Sequence, residues 1–342
     1  MAAPTLTQEK PEPHVSHKWL ITAAVVLGAS MEILDTSIVN VALPYMRGSF
    51  NASVDQITWV LTGYIVANGI MIPLTGWIAP RIGRKRYFMS SVVVFVIASA
   101  LCGMATSLRE IVLFRLLQGA AGAAMIPLSQ AILMETFPPS EHAMAMAMWG
   151  LGIIMAPILG PSLGGYITDR LNWRWNFYIN VPIGILCMMM VGLFVHDPTY
   201  LKRARRKYVD YWGIVLLVLS IGLMQIVLNR GQRADWFASP WVRYFTVTSI
   251  LCFILMAWRE LRFPEPIIEL RTLKTTAFTL SVVVMTMMVM TIYAINLLNP
   301  LFFEDLLGYT AWNAGLAVLP RGIGAGGVYE RGLAGDGISS RC

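Results

Sequence analysis

Residues 19–46 read WLITAAVVLGASMEILDTSIVNVALPYM, a run in which only Glu32 and Asp35 carry a charge. A helix that crosses the hydrocarbon core of a bilayer needs about 20 apolar residues. This run therefore predicts a transmembrane helix. The two acids inside it stand out, because charge in a membrane segment is costly.

The rest of the chain has the same character. Hydrophobic residues make up 56% of its 342 residues and charged residues 13%, whereas a soluble domain carries about 25% charged residues. This composition excludes a cytosolic enzyme, a disordered protein and a secreted disulfide scaffold. The four cysteines show no metal or redox spacing, and no phosphate loop or nucleophile triad is present. We therefore expect no enzyme activity and no cofactor or metal.

Nine apolar runs of helical length follow one another along the chain. None alternates in polarity as a membrane β-strand does, so the predicted fold class is all-α and polytopic. A tenth run begins near Trp312 and stops early. The predicted spans are 19–46, 56–80, 87–107, 109–134, 142–168, 177–196, 210–229, 241–260 and 276–300.

Basic residues are distributed unevenly between the two sides of these spans. Fifteen Lys and Arg residues fall on the side of the N-terminus and seven on the other. The richer side is normally cytoplasmic, so we expect a multi-pass protein of the plasma or inner membrane with its N-terminus inside. The net charge of +7 comes from these clusters, which predict contact with the lipid bilayer and no nucleic-acid partner.

Glu32 and Asp35 are three residues apart and share one face of the first span. Two carboxylates this close in a low-dielectric medium do not both ionise easily. A carboxylate that binds and releases protons is what a proton-coupled carrier needs, so we predict a proton- and substrate-coupling role for both. The alternative for either residue is a structural anchor to a neighbouring helix.

Arg115 is the comparable buried cation, in the fourth span. Asp35 precedes Pro44 by nine residues and Arg115 follows Arg109 by six, which places them about 13 and about 9 Å from the same face of the membrane. A bidentate contact between them is therefore expected. The pair is either a proton-sensitive switch or a static ion pair.

Small residues and prolines mark the fifth span. Gly152, Ala156, Gly160 and Gly164 recur every four residues, which predicts close approach of another helix. The prolines at positions 157 and 161 predict a bend. The fourth span carries a similar row at Gly119, Ala123 and Pro127.

The loop GWIAPRIGRKR (76–86) joins the second and third spans. We expect Gly76 and Gly83 to permit a tight turn and close helix contact. The basic residues of the loop should bind acidic groups or helix C-termini on neighbouring segments; they are Arg81, Arg84, Lys85 and Arg86.

Five segments together resemble a known family. ILDTSIVNVALP (33–44), GWIAPRIGRK (76–85), LFRLLQGAAGAA (113–124) and GPSLGG (160–165) are similar to successive signatures of the major facilitator superfamily. With NWRWNFYINVPIG (172–184), they resemble its fourteen-span drug:proton antiporters of the EmrB/QacA type. The resemblance covers about residues 19–321. It implies a fold of two six-helix bundles around a cavity, with two helices inserted between them, and export of lipophilic small molecules against proton entry.

The resemblance also implies roles for particular residues. It gives Asp35 the proton and substrate site and Arg115 the coupling arginine. The antiporter motif falls on Gly160, Pro161, Gly164 and Gly165, and the gating loop on Gly76, Gly83, Arg84 and Lys85. Pro80 stands where the gating loop commonly has an acid.

The same resemblance predicts how the chain is divided. The expected segments are a cytoplasmic tail (1–18), the first bundle (19–196), a basic cytoplasmic loop (197–209), two insert helices (210–260), the start of the second bundle (261–321) and an aberrant glycine-rich tail (322–342). The last segment holds seven glycines. Nine spans fall short of fourteen, so the sequence predicts a C-terminally truncated antiporter that is inactive in this form.

Several readings of function stay open at this stage. The chain is a proton-coupled multidrug efflux antiporter, a facilitator or importer on the same scaffold, a nonfunctional truncation product, or a membrane-embedded assembly partner. The expected partners of the efflux antiporter are protons, lipophilic drug-like substrates and, in a host with two membranes, a periplasmic adaptor protein.

Overall fold

A computed structural model describes residues 17–195, 210–263 and 266–308, and within them it contains helices and no strand. The predicted all-α fold is confirmed. We number the long helices α1 (Lys18–Ser49), α2 (Val54–Ile82), α3 (Arg84–Met104), α4 (Leu108–Thr136), α5 (His142–Arg170), α6 (Trp175–Phe194), α7 (Tyr211–Arg230), α8 (Pro240–Glu260) and α9 (Thr276–Leu301).

These helices correspond to the nine predicted spans. The helices α1 to α8 are each long and apolar enough to cross a bilayer, and α9 contributes the apolar stretch Thr276–Thr291. The basic loop 197–209 and the glycine-rich tail 322–342 lie outside the described residues, as does almost all of the N-terminal tail 1–18.

Local sequence signals fix several helix ends. Ser53 with Gln56, and Ser107 with Glu110, form capping boxes at the starts of α2 and α4. Gly83 joins α2 to α3 with a φ of 97°, which residues with a side chain rarely adopt. The tight turn predicted at Gly83 is therefore present.

Two helices are interrupted one turn before a proline. The α4 helix breaks between Gly122 and Met125, ahead of Pro127, and α6 breaks at Ile179, ahead of Pro182. Proline has no N–H to give to the carbonyl four residues earlier, and its ring crowds that carbonyl. In contrast, α5 runs unbroken past Pro157 and Pro161, and the bend expected there stays a prediction.

The first six helices pack into one bundle with α1 at its centre. The α1 helix packs against α4, α5 and α6, while α4 also packs against α2 and α3. Two apolar clusters fill the bundle, one containing Met31 and Phe95 and the other containing Val39 and Phe177. Along α1, Asp35 lies midway between Met31 and Val39, so both clusters shield it from water.

The predicted glycine stripe on α5 lies against α1. A Cβ atom added at Gly152 would lie 2.3 Å from Val26 Cγ1, and one at Gly160 would lie 2.4 Å from Ser37 Oγ. Since real Cβ atoms do not approach so closely, a larger residue at either position would force the facing side chain of α1 to shift. Pro161 deprives the Pro157 carbonyl of its helical partner, and Ser37 Oγ donates a hydrogen bond to that carbonyl at 3.4 Å.

The backbones of α2 and α4 approach each other closely at Gly119. A Cβ atom at Gly119 would lie 2.3 Å from the Tyr64 carbonyl oxygen. Because a backbone atom cannot swing aside as a side chain does, Gly119 sets the separation of these helices. This is the role that the row Gly119, Ala123 and Pro127 predicted.

The helices α7 and α8 lie beside the bundle. The α7 helix packs against α8 and α2, with Gly222 beside Ile70 and Gly69 beside Gln225. The side chains of residues 276–291 in α9 are almost all exposed. Within the described residues, α9 therefore has the least developed packing.

We predict that Gly119→Ala destabilises the protein by about 1–3 kcal/mol, the usual cost of overpacking. Gly150→Ala is the matched control, because no described residue has an atom within 4 Å of a Cβ added there. In a helix that control should be neutral or stabilising by about 0.5–1 kcal/mol. Thermal unfolding of the purified protein in detergent measures both, and equal transition temperatures would contradict the predicted close approach.

Candidate functional site

Asp35 of α1 and Arg115 of α4 are in direct contact. Both side chains are completely buried, and Arg115 Nη1 lies 2.5 Å from Asp35 Oδ2. The two groups therefore sit at the same depth, as their positions in the sequence indicated. A buried charge pair is costly to desolvate, so it needs further hydrogen bonds to be stable.

The predicted bidentate contact is wrong. Only Nη1 reaches the carboxylate, because Arg115 Nε donates instead to the Val60 carbonyl oxygen at 3.3 Å. The other carboxylate oxygen, Asp35 Oδ1, is already occupied by two amide groups. Nη2 of Arg115 has no hydrogen-bond partner in the part of the chain that the structure describes.

Two amide side chains complete the centre. Gln118 Nε2 donates to Asp35 Oδ1 at 2.9 Å, and Asn180 Nδ2 donates to the same oxygen at 2.7 Å. Gln118 Oε1 in turn accepts from Arg115 Nη1 at 2.8 Å. Asp35 thus receives three donors, and charge-assisted hydrogen bonds of this kind stabilise a carboxylate. We call Asp35, Arg115, Gln118 and Asn180 the buried centre.

The sequence analysis did not single out Gln118 or Asn180. The available signal was a polar side chain inside an apolar run: Gln118 lies three residues after Arg115, and Asn180 begins the second segment of α6. Since helical neighbours three residues apart share a face, Gln118 was easier to predict from the sequence than Asn180. Asn180 comes from a helix distant in sequence, and no local pattern points to its partner.

Aromatic rings cover the guanidinium group. Its Cζ lies 4.1 Å from the centroid of the Tyr64 ring and 5.9 Å from that of Phe177. Cation–π attraction of this type is stronger when the cation is desolvated. The rings thus help to hold Arg115 in a place that water does not reach.

Glu32 lies in a different environment from Asp35. Its side chain is buried, and Oε1 accepts a hydrogen bond from Asn68 Nδ2 at 2.8 Å. Among the described residues it forms no salt bridge. Both acids face α4, since Glu32 Cγ lies beside Gly122, but only Asp35 meets a cation.

The gating-loop residues mostly contact the first bundle. Arg84 forms a salt bridge with Glu135 at the end of α4, and Lys85 Nζ donates to the Gly192 carbonyl oxygen in the last turn of α6 at 2.7 Å. The basic residues thus reach an acid and a helix C-terminus, as the sequence analysis expected. Among the described residues no atom lies within 4 Å of a Cβ added at Gly76, and the close helix contact expected there stays a prediction.

The antiporter-motif residues differ in how closely they pack against α1. Gly160 and Gly164 lie against α1, and a Cβ added at Gly164 would lie 3.1 Å from Ile38 Cα. A Cβ at Gly165 would make only an ordinary contact, 3.9 Å from Val41. Pro161 has no N–H group for the Pro157 carbonyl oxygen, which accepts a hydrogen bond from Ser37 Oγ instead. The motif therefore sets how α5 meets α1, directly beside the buried centre.

Among the described residues, no group of three or more His, Cys, Asp or Glu side chains is placed to hold a metal ion. What the buried centre offers chemically is proton exchange at a carboxylate and a charge interaction with a fixed guanidinium group.

Comparison with known proteins identifies the fold. Residues 25–341 match the family model described as Major Facilitator Superfamily. The Multidrug export protein EmrB of Escherichia coli (strain K12) is 40% identical over 306 residues, which cover 89% of this chain and 59% of that protein. The Fatty acid resistance protein FarB of Neisseria gonorrhoeae is 40% identical over 304 residues, with the same coverage.

A solved structure supports the fold alone. The proton:xylose symporter XylE has a TM-score of 0.51 and 17% identity to this chain, and the match covers 65% of this chain and 55% of that one. The chain spans 59% of the length of the two curated relatives named above, and its helices are those of a transporter fold. It belongs to the major facilitator superfamily of membrane transporters.

Proposed function

We propose that this chain belongs to a proton-coupled multidrug efflux antiporter that exports lipophilic small molecules. The observation that carries the proposal is the buried centre, in which an acid and an arginine from two different helices meet away from water. Relatives at 40% identity are named for multidrug export and for fatty acid resistance. Those names favour export over import on the same scaffold.

Protonation changes the balance of forces in the centre. As a carboxylate, Asp35 attracts Arg115 across 2.5 Å, and the attraction is strong because little water screens it. A proton on Asp35 cancels that attraction and leaves the Arg115 charge without its counter-ion. The arrangement of α1 and α4 that suits the charged pair is then no longer the most stable one.

A rocking movement of the bundles is the expected response. Carriers of this architecture alternate access by moving one bundle against the other around a site near the membrane midplane. In our proposal residues 19–196 form one of these bundles, 210–260 are the insert helices and α9 begins the second bundle. The tight α1–α5 contact at Gly160 and Gly164 transmits a shift of α1 to its neighbour.

Glu32 is the second acid in this proposal. Its carboxyl group has an amide partner, Asn68, and no salt bridge among the described residues. An acid without a fixed counter-ion suits a site that exchanges a proton for a lipophilic cation. We therefore assign Asp35 to proton coupling with Arg115, and Glu32 to joint proton and substrate binding.

The topology is also part of the proposal. The excess of basic residues places the N-terminus and the 76–86 loop in the cytoplasm. There Gly83, Arg84 and Lys85 hold the inner ends of α3, α4 and α6 together, and Gly76 leaves open space for the facing bundle. A periplasmic adaptor protein is the expected partner on the opposite side in a host with two membranes.

Asp35→Asn tests the proposal directly. The chain is completed with the remaining C-terminal part of the E. coli EmrB protein and reconstituted in vesicles with a proton gradient. We expect the variant to lose gradient-driven movement of a fluorescent lipophilic cation, because asparagine cannot take up a proton. Asp235→Asn is the control, since Asp235 lies in a loop with a φ of 53° that asparagine tolerates.

The amounts of folded protein are matched by size-exclusion chromatography before the comparison. Residues 1–342 taken alone should show no gradient-driven uptake, since one bundle cannot rock against a missing partner. Undiminished uptake by Asp35→Asn would refute the proton-site assignment, and gradient-driven uptake by residues 1–342 would refute the need for a second bundle.

Arg115→Lys tests the coupling within the centre. Lysine keeps the charge but cannot donate hydrogen bonds to Asp35, Gln118 and the Val60 carbonyl oxygen together, because it lacks the planar guanidinium group with its several fixed N–H donors. We expect transport to fall at least tenfold, whereas Arg109→Lys, an exposed change on the same helix, should have little effect. In a double-mutant cycle with Asp35→Asn the effects should be non-additive; additive effects would remove the pairing from the mechanism.

A further inference from the structure

The buried centre is built for a carboxylate and not for a carboxylic acid. Asp35 Oδ1 faces N–H groups from Gln118 and Asn180, and Oδ2 faces an N–H group of Arg115. A proton on Asp35 would point at one of these hydrogens. Protonation therefore requires that one of the three donors turn away and, ideally, offer an acceptor in its place.

Asn180 is the donor with an unused acceptor. Its side chain is completely buried, and within the described part of the chain its Oδ1 has no hydrogen-bond partner. Rotation about the last side-chain bond exchanges Oδ1 and Nδ2 without a change in volume. Gln118 is less free to turn, because its Oε1 already accepts from Arg115 Nη1 at 2.8 Å.

We propose that Asn180 is a positioning residue that turns its side-chain amide when Asp35 gains a proton, so that α6 responds to the protonation state of α1. A hydronium ion gives its proton to Asp35 Oδ1 and leaves as water, and no covalent bond within the protein breaks. Asn180 Oδ1 then accepts the new O–H group. The inference rests on the proposed function in one respect, that Asp35 binds protons.

The turn of the amide alters how α6 is held. Asn180 Nδ2 also donates to Ser99 Oγ of α3 at 3.0 Å, and Ser99 donates to the Phe177 carbonyl oxygen at 2.8 Å. Turning Asn180 withdraws its N–H group from Asp35 and Ser99 at once. These two hydrogen bonds hold the start of the second α6 segment to α1 and α3. After the turn the bond to Asp35 is replaced by the new O–H···Oδ1 bond, whereas the bond to Ser99 is lost, which loosens that segment from α3.

Other ionisable groups around the centre come from several helices. Residues 143–165 of α5 contain none, and in residues 179–195 of α6 the one titratable side chain is Cys187, which donates to the Ala24 carbonyl oxygen away from Asp35. Asn180 is thus an uncharged residue that responds to the protonation state of Asp35. The groups that face the centre are Glu32 of α1, Tyr64 of α2, Cys102 of α3 and Arg115 of α4.

The test follows the asparagine amides themselves. The purified 342-residue chain, with ¹⁵N-labelled asparagine, is placed in lipid nanodiscs, and side-chain amide resonances are recorded from alkaline to acidic pH. Asn180→Leu identifies the Asn180 resonance, and Asn180→Ser replaces it if the leucine variant does not fold. Asn176 is the matched control, because it is equally buried but donates to Thr168 Oγ1 at 2.7 Å.

We expect the Asn180 resonance to move as the pH falls, the Asn176 resonance to stay fixed, and the movement to disappear in Asp35→Ala. In parallel, labelling of protonated Asp35 by a carbodiimide is read by mass spectrometry. At neutral pH the labelled fraction should rise severalfold in Asn180→Leu, because the carboxylate has lost a donor, and should not change in Asn176→Leu.

The Asn180 resonance and the labelling of Asp35 distinguish the inference about Asn180 from the proposed function. If labelling of Asp35 depends on pH while the Asn180 resonance does not move, the inference is overturned and the proposed function stands. If labelling of Asp35 does not depend on pH at all, both are overturned. Movement of the Asn180 resonance that persists in Asp35→Ala would also overturn the inference, since the amide would then respond to another group.

Discussion

The rest of the bundle depends on the burial of two opposite charges at one point. Removing a carboxylate and a guanidinium group from water costs several kcal/mol for each, and Asp35 and Arg115 recover this only if their partners are placed with precision. The hydrogen-bonded network around this pair draws on five helices: Asp35 from α1, the Val60 carbonyl from α2, Ser99 from α3, Gln118 from α4 and Asn180 from α6. The centre therefore joins almost the whole bundle.

Small residues make this convergence sterically feasible. The backbone of α2 approaches α4 at Gly119, and α5 approaches α1 at Gly152 and Gly160. A side chain at any of these positions would push two helices apart and lengthen the hydrogen bonds of the centre. Packing and electrostatics are thus linked here, because Gly119 follows Gln118 in the chain and Gly160 meets Ser37, two residues after Asp35.

Sequence reasoning succeeded where a residue type is costly in a membrane. Glu32, Asp35 and Arg115 were recognised because charge in an apolar run needs a reason, and the glycine stripe of α5 because its period matches a helix face. Gln118 and Asn180 were missed since amides are tolerated in membrane helices and their partners lie on other helices. The bidentate contact was wrong because it depends on side-chain direction and on neighbouring donors, which spacing along one helix does not reveal.

The hydrogen bond from Ser37 to the Pro157 carbonyl fixes the axial register of α1 against α5. The proline at position 161 leaves the Pro157 carbonyl oxygen without its helical donor, and the hydroxyl group of Ser37 donates to it. A slip of α1 by one turn would move Ser37 about 5.4 Å away and leave that carbonyl unsatisfied in a non-aqueous medium. Asp35 lies two residues before Ser37. The Pro157 carbonyl group of α5 therefore also fixes the position of the Asp35 carboxyl group along the axis of α1.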